Sequence, residues 1–227
     1  MRLGALFSGG KDSVFSIFKA LHQGHEVKCL ITIISKNPES YMYHVPNIEL
    51  TKLQAKAMGL PIVLNETEGK KEKELEELKA SILEAKQKFD ISGVVSGAIY
   101  SNYQRRRIDN ICSELSLDSI SPLWKLRPKE MLIEMVDNGF IIIMSAIAAG
   151  GLEPDWLGKE ITHEAIEELA NLHETCYVCT GGEGGEFETL VLDSPLFKKR
   201  LKVLDAEPIW DGQAGVYKVK KAVLVDK

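Results

Sequence analysis

The chain has 227 residues, 44% hydrophobic and 27% charged, enough apolar material for a large core and with no low-complexity stretch that would stay disordered. A formal net charge of -5 and a pI of about 5.6 argue against a broad grip on a nucleic-acid backbone, so no stable nucleic-acid binding is expected, although a local basic patch stays open. The N-terminal apolar run is too short for a signal peptide and the later run from Gly139 to Gly151 too short for a membrane span, which predicts a cytoplasmic protein without a membrane partner.

In the first half, short apolar runs alternate with helical segments, the pattern of a parallel sheet with crossover helices. Leu3 to Phe7 reads as a buried strand. Ser13 to Gln23 follows as a helix, with Val14, Ile17, Phe18 and Leu21 at helical spacing and Gly24 as its stop. Val27 to Ile34 is a β-branched strand, and Ser35 to Asn47 a polar loop with two prolines. Helix then returns from Ile48 to Met58, a short strand from Pro61 to Leu64, and a charged helix from Lys70 to Phe89 whose i,i+4 pairs mark a solvated face. Gly93 to Gly97 is a further strand and Asn102 to Leu115 a helix opened by a basic turn.

After about residue 126 the rhythm changes. A helix to Asn138, an apolar run from Phe140 to Ile147, a helix from Thr162 to Glu174 and a glycine-rich loop from Gly181 to Gly185 come in turn. Phe187 to Leu192, Leu201 to Leu204 and Val216 to Val225 read as strands. The expected organisation is therefore a nucleotide-binding α/β domain over residues 1–126 and a smaller α+β domain over residues 127–227.

Ser8-Gly9-Gly10-Lys11-Asp12-Ser13 stands between the first strand and the first helix. A helix start presents unpaired amides and the positive end of the macrodipole, so an anion there gains several donors at once. The glycines permit close backbone approach, Ser8 and Ser13 add hydroxyls, and Lys11 adds a positive charge. Three or four charge-assisted hydrogen bonds of about 1.5 to 3 kcal/mol each would hold a pyrophosphate group. The spacing fits neither a Walker loop nor a dinucleotide-binding glycine turn. Asp12 suits either a Mg²⁺ contact or simple stabilisation of the helix start.

SGGKDS resembles the signature of the PP-loop ATP pyrophosphatases, which cut ATP between its α and β phosphates. Two more segments narrow the resemblance. Ser96-Gly97-Ala98-Ile99, Tyr103-Gln104, Arg107, Cys112 and Pro122-Leu123-Trp124 are similar to the second signature of the diphthine-ammonia ligase (diphthamide synthase) family, and Glu183-Gly184-Gly185-Glu186-Phe187-Glu188-Thr189 to its third. Tyr41-Met42-Tyr43-His44 and the residues on to Gly59 are similar too. The resemblance implies a parallel-sheet, adenine-nucleotide alpha-hydrolase-like (HUP, Rossmann-like) domain. It also implies a ligase that amidates diphthine, a modified histidine on translation elongation factor 2, with ATP and ammonium, through an acyl-adenylate, giving diphthamide, AMP and pyrophosphate. Cys176 and Cys179 fall outside the family pattern, as do Arg105 and Arg106.

On this reading ATP is held by Ser8, Gly9, Gly10, Lys11, Asp12, Ser13, Gly97, Ala98 and Gln104, with Mg²⁺ on Asp12. Lys11 and Arg107 stabilise the departing charge, a surface salt bridge being the alternative for Arg107. Diphthine's trimethylammonium group favours aromatic faces and acids, so Glu183, Phe187, Glu188, Thr189 and Trp124 are candidate substrate contacts, with Tyr41 and Tyr43 as further aromatic walls. His44 joins them from the polar loop, with an idle or structural role as its alternative. Glu186 is the expected base that takes a proton from ammonium. No room is seen for a glutaminase domain, so free ammonium is the expected nitrogen donor.

Cys29 and Cys112 read as core residues. Cys176 and Cys179, with His173 as a third candidate ligand, make at most part of a zinc site and read first as a thiol pair, reduced or reversibly oxidised. Oligomeric state is left open between a monomer and a homodimer. Two rivals stand: a PP-loop enzyme that adenylates a tRNA base, and a nucleotide-binding regulator without turnover.

Overall fold

A computed structural model describes residues 1–35, 46–69 and 73–227, the side chain of Lys73 excepted. Five strands, β1 (Arg2–Leu6), β2 (Glu26–Ser35), β3 (Ile62–Thr67), β4 (Gly93–Val95) and β5 (Asp118–Ile120), form a parallel sheet in the order β3-β2-β1-β4-β5. Helices α1 (Lys11–His22), α2 (Thr51–Met58), α3 (Lys73–Phe89) and α4 (Asn102–Glu114) connect them, with a 3-10 turn at Ile48–Leu50 leading into α2.

The remainder is α+β. Helices α5 (Pro128–Asp137) and α6 (His163–Cys176) flank an antiparallel sheet of β6 (Ile141–Ile147), β7 (Phe187–Asp193), β8 (Arg200–Trp210) and β9 (Gly215–Val225), ordered β7-β6-β9-β8. The fold is the expected Rossmann-like parallel-sheet domain followed by a smaller α+β region.

Three elements differ from expectation for identifiable reasons. β5 is three residues long and carries no apolar run; its backbone pairing with β4, Gly93 against Asp118, makes it a strand. β8 runs to Trp210, well past Leu204, because an edge strand tolerates the exposed Asp205, Glu207 and Pro208 that would interrupt a central one. β3 continues to Thr67 alongside Ser35 of β2.

Apolar burial on the two faces of the parallel sheet sets the architecture. On one face, Ile31, Ile33, Val63 and Val94 pack with Leu78 and Ile82 of α3 and Ile108 and Ile111 of α4. Cys29 and Cys112 lie in the same cluster, and burial pushes their thiols up to about 12 and about 11, so neither is a ready nucleophile. On the other face α1 is the wedge between the two sheets. Its Phe15 and Phe18 stack on each other at 5.7 Å, and both meet Phe140 edge-on, at 5.7 and 5.5 Å. Leu3 and Val95 of one sheet and Ile142, Met144 and Val191 of the other thus belong to a single core.

Candidate active site

Three helices show ordinary starts. Ser101 Oγ accepts from the Gln104 amide at the head of α4, Thr162 Oγ1 from the Ala165 amide at the head of α6, and α5 opens on Pro128. α1 is different: Gly10 stands at its N-cap and has no side chain to offer. The missing acceptor comes from 178 positions away, where buried Thr189 of β7 takes the Lys11 amide on its Oγ1 at 3.1 Å. Thr189, expected as a substrate contact, thus has its hydroxyl at the head of α1, accepting from the loop.

The loop itself is clamped. Gly9 has φ +81, a conformation glycine adopts without strain, and a Cβ there would collide with Oε1 of Gln54. Gln54, wholly buried on α2, donates from Nε2 to the carbonyls of Gly9 and Val191, each at 2.9 Å. The Val191 amide also donates to the Gly9 carbonyl, at 3.1 Å. Ser8 and Ser13 close the turn through their hydroxyls at 3.3 Å, and Ser13 Oγ donates to the Gly10 carbonyl at 3.0 Å. Each such bond contributes about 1 kcal/mol net. Sequence reading missed Gln54, although a glutamine on the inward stripe that includes Leu50 and Met58 is a signal of a buried polar task.

Lys11 is 4% exposed, and its ammonium pairs with Asp12 Oδ2 at 2.8 Å while standing 5.6 Å from the centroid of the buried Phe187 ring. Burial opposes charge on this ammonium, but Asp12, Glu183 and Glu188 outweigh it, and the group titrates above the ordinary lysine value. Asp12 Oδ1 is buried without a partner among the described residues. Glu183 is raised to about 7, by burial first and then by Asp12, with Lys11 pulling the other way. Glu188 is also raised, by burial, against the pull of Lys11. Both residues are exposed over much of their surface, yet their carboxyls stand among enough protein atoms to lose part of their hydration.

A cavity of about 280 Å³ opens beside this cluster, at the C-terminal ends of β1, β2 and β4. Strand order reverses between β1 and β4, and the crevice at such a switch point is where open α/β sheets bind ligands. Ser8, Asp12, Ser13, Gly97, Ala98, Gln104 and Glu188 all line it. Gly97 lies so close to α1 that an added Cβ would stand 2.8 Å from the carbonyl carbon of Asp12.

Other expected residues sit elsewhere. Glu186 spends both carboxylate oxygens on its own loop, accepting from the Cys179 amide at 3.2 Å and the Gly184 amide at 2.8 Å, which makes it a staple for the glycine turn. Arg107 lies over the Tyr103 ring, 3.2 Å from its centroid, with Nε buried and unpartnered among the described residues. Trp124 lies beneath Arg105 at 4.4 Å. His44, Tyr41 and Tyr43 fall outside the described residues. Cys176 and Cys179 are free thiols, His173 Nδ1 contacts the Val178 carbonyl at 3.0 Å, and no three metal-ligating side chains converge among the described residues.

Comparison with known proteins decides the family. The model of the diphthamide synthase N-terminal domain matches residues 1–119, and that of the diphthamide synthase C-terminal domain matches residues 127–225. The chain belongs to the diphthamide synthase family. The diphthine-ammonia ligase of Danio rerio is 36% identical over 224 residues, covering 91% of this chain and 87% of that protein. The diphthine-ammonia ligase of Homo sapiens is 34% identical over 229 residues, covering 92% and 85%. In this diphthamide synthase the clamped Ser8–Ser13 loop and the raised carboxyl of Glu188 meet at one cleft, with Glu183 acting on Lys11 beside it. Among the described residues no helix is long and apolar enough to cross a membrane.

Proposed function

We propose that this enzyme is a C–N ligase that amidates diphthine on elongation factor 2 with ATP and ammonium, with residues 1–126 serving the nucleotide and residues 127–227 the acceptor. The observation that carries the reading is that Ser8, Asp12 and Ser13 of the loop share one cleft with Glu188, which arrives from the other sheet, while Glu183 acts on Lys11 and Asp12 beside it. Family membership weighs against both rivals, the tRNA-modifying enzyme and the silent nucleotide binder.

A carboxylate resists ammonia because its oxygen is a poor leaving group. Attack of a diphthine carboxylate oxygen on the α-phosphorus of ATP breaks the bond to the β,γ-pyrophosphate and forms an acyl-adenylate. Ammonia then adds to the acyl carbon, and AMP departs with the C–O bonding pair. Lys11, held cationic in a buried site, stabilises the charge gathering on pyrophosphate. Ser8 and Ser13 supply hydroxyls to the phosphates, and Gly97 and Ala98 the floor on which the nucleoside rests.

Asp12 suits a divalent cation, since Oδ1 is an orphaned buried carboxylate oxygen at the mouth of the phosphate loop. Mg²⁺, which typically takes one or two carboxylates together with substrate phosphates, would supply charge neutralisation there. For the base, the geometry favours Glu183 over Glu186. Glu186 is tied to two amides, whereas Glu183 titrates at about 7 and can accept a proton from ammonium near neutrality.

The test is mass spectrometry of elongation factor 2 carrying diphthine, incubated with the enzyme, ATP, Mg²⁺ and ammonium. Conversion of the acid to the amide with equimolar AMP and pyrophosphate is the expected result. ADP and orthophosphate as products, or an unmodified acceptor, would overturn the reading.

A further inference from the structure

A second cavity, of about 330 Å³, opens between the end of β6 and the turn joining β8 to β9. Its walls are apolar, from Ala146, Ile147, Ile209 and Val216, and its charges are two carboxylates, Glu188 and Asp211. None of the described residues that line it carries a cation or a side-chain hydrogen-bond donor. Glu188 also lines the nucleotide cavity, so one carboxylate separates the two spaces. Ile209 is 48% exposed at the rim.

We propose that this second cavity receives the trimethylammonium head of diphthine, with Asp211 and Glu188 as its counter-charges, and so sets the acceptor carboxylate on the Lys11 side of Glu188. The inference rests on the ligase reading above and adds where, and by what chemistry, the acceptor is recognised. A quaternary ammonium has no N–H to donate, so hydrogen-bond acceptors cannot grip it directionally. It binds where methyl groups meet apolar walls and where negative charge lies close. An anionic ligand would be repelled by both carboxylates, and a neutral apolar one would gain nothing from them.

Asp211 is fixed for the task. Its Oδ1 accepts from the Gln213 amide at 2.9 Å and the Ala214 amide at 2.8 Å, which fastens the turn and keeps the carboxyl below the usual carboxylate range. The carboxylate therefore stays ionised wherever the enzyme works, and the turn sets its position at the cavity rim.

Asp211→Asn keeps an oxygen for the two amides and removes only the charge; Ala146→Phe fills the cavity and leaves the charge. Each variant, checked by thermal unfolding, is expected to raise KM for the diphthine-bearing protein about tenfold while KM for ATP and kcat hold. Tetramethylammonium chloride should compete with the protein acceptor and not with ATP in the unaltered enzyme, more strongly than sodium chloride at equal ionic strength. Unchanged acceptor KM in both folded variants, or tetramethylammonium no better than sodium, would overturn the assignment while amidation by the unaltered enzyme continued. Absence of amidation by the unaltered enzyme would instead sink the ligase reading on which the assignment stands.

Discussion

Lys11 and Glu183 respond to the same acidic neighbourhood in opposite ways. Burial disfavours charge on both; Asp12, Glu183 and Glu188 keep Lys11 an ammonium, while lost hydration first, and then Asp12, Glu186 and Glu188, raise Glu183 to about 7. For a base the sign is simple. Below about 7 the carboxyl carries its proton and can take no other, and above it the carboxylate is available. At fixed total ammonium, kcat/KM should therefore rise through about pH 7 with an inflection that Glu183→Gln lacks, and the variant should lose roughly 100-fold in rate. Superimposable pH profiles would remove Glu183 from the mechanism. The sequence presents Glu183, Glu186 and Glu188 as near equivalents; what separates them is which oxygens the loop's own amides consume, and that depends on the turn closing over Glu186.

At the scale of elements, the nucleotide site depends on how closely the connection from β4 to α4 approaches the head of α1. A methyl group at residue 97 would press on the backbone of Asp12, which cannot swing aside as a side chain can. Gly97→Ala should cost about 1 to 3 kcal/mol in denaturant unfolding and weaken ATP binding measured by calorimetry. Gly150→Ala is the control: a Cβ there meets nothing within 4 Å and its φ is ordinary, so stability should stay within about 0.5 kcal/mol. Equal effects of the two substitutions would show that the close approach at Gly97 does not matter. Ser8 to Ser13 was legible in sequence because a glycine turn between a strand and a helix is a local pattern. Its clamp was not, since Gln54 and Thr189 reach the loop from 45 and 178 residues away.

Across the whole molecule, two sheets share one core. Phe15 and Phe18 of α1 lock onto Phe140, and the apolar cluster passes from Leu3 and Val95 to Met144 and Val191 without a break. The two halves should therefore not unfold separately. Heating is expected to give a single transition, with tryptophan fluorescence, reporting largely on Trp156 and Trp210 of the C-terminal half, coincident with far-ultraviolet circular dichroism. Two separated midpoints would mean that the interface contributes little to stability.

Sequence by itself determined the parallel sheet and all its strands but β5, the phosphate loop and the family resemblance, because alternation, helical spacing and motif order are written along the chain. Tertiary structure alone decided that β8 runs through Pro208 at an edge, that Thr189 caps a distant helix, and that Glu188 stands between two cavities. Those facts follow from contacts between segments far apart in sequence, and the lone pairs and charges of a carboxylate or hydroxyl acquire a role only once the core has fixed what stands beside them.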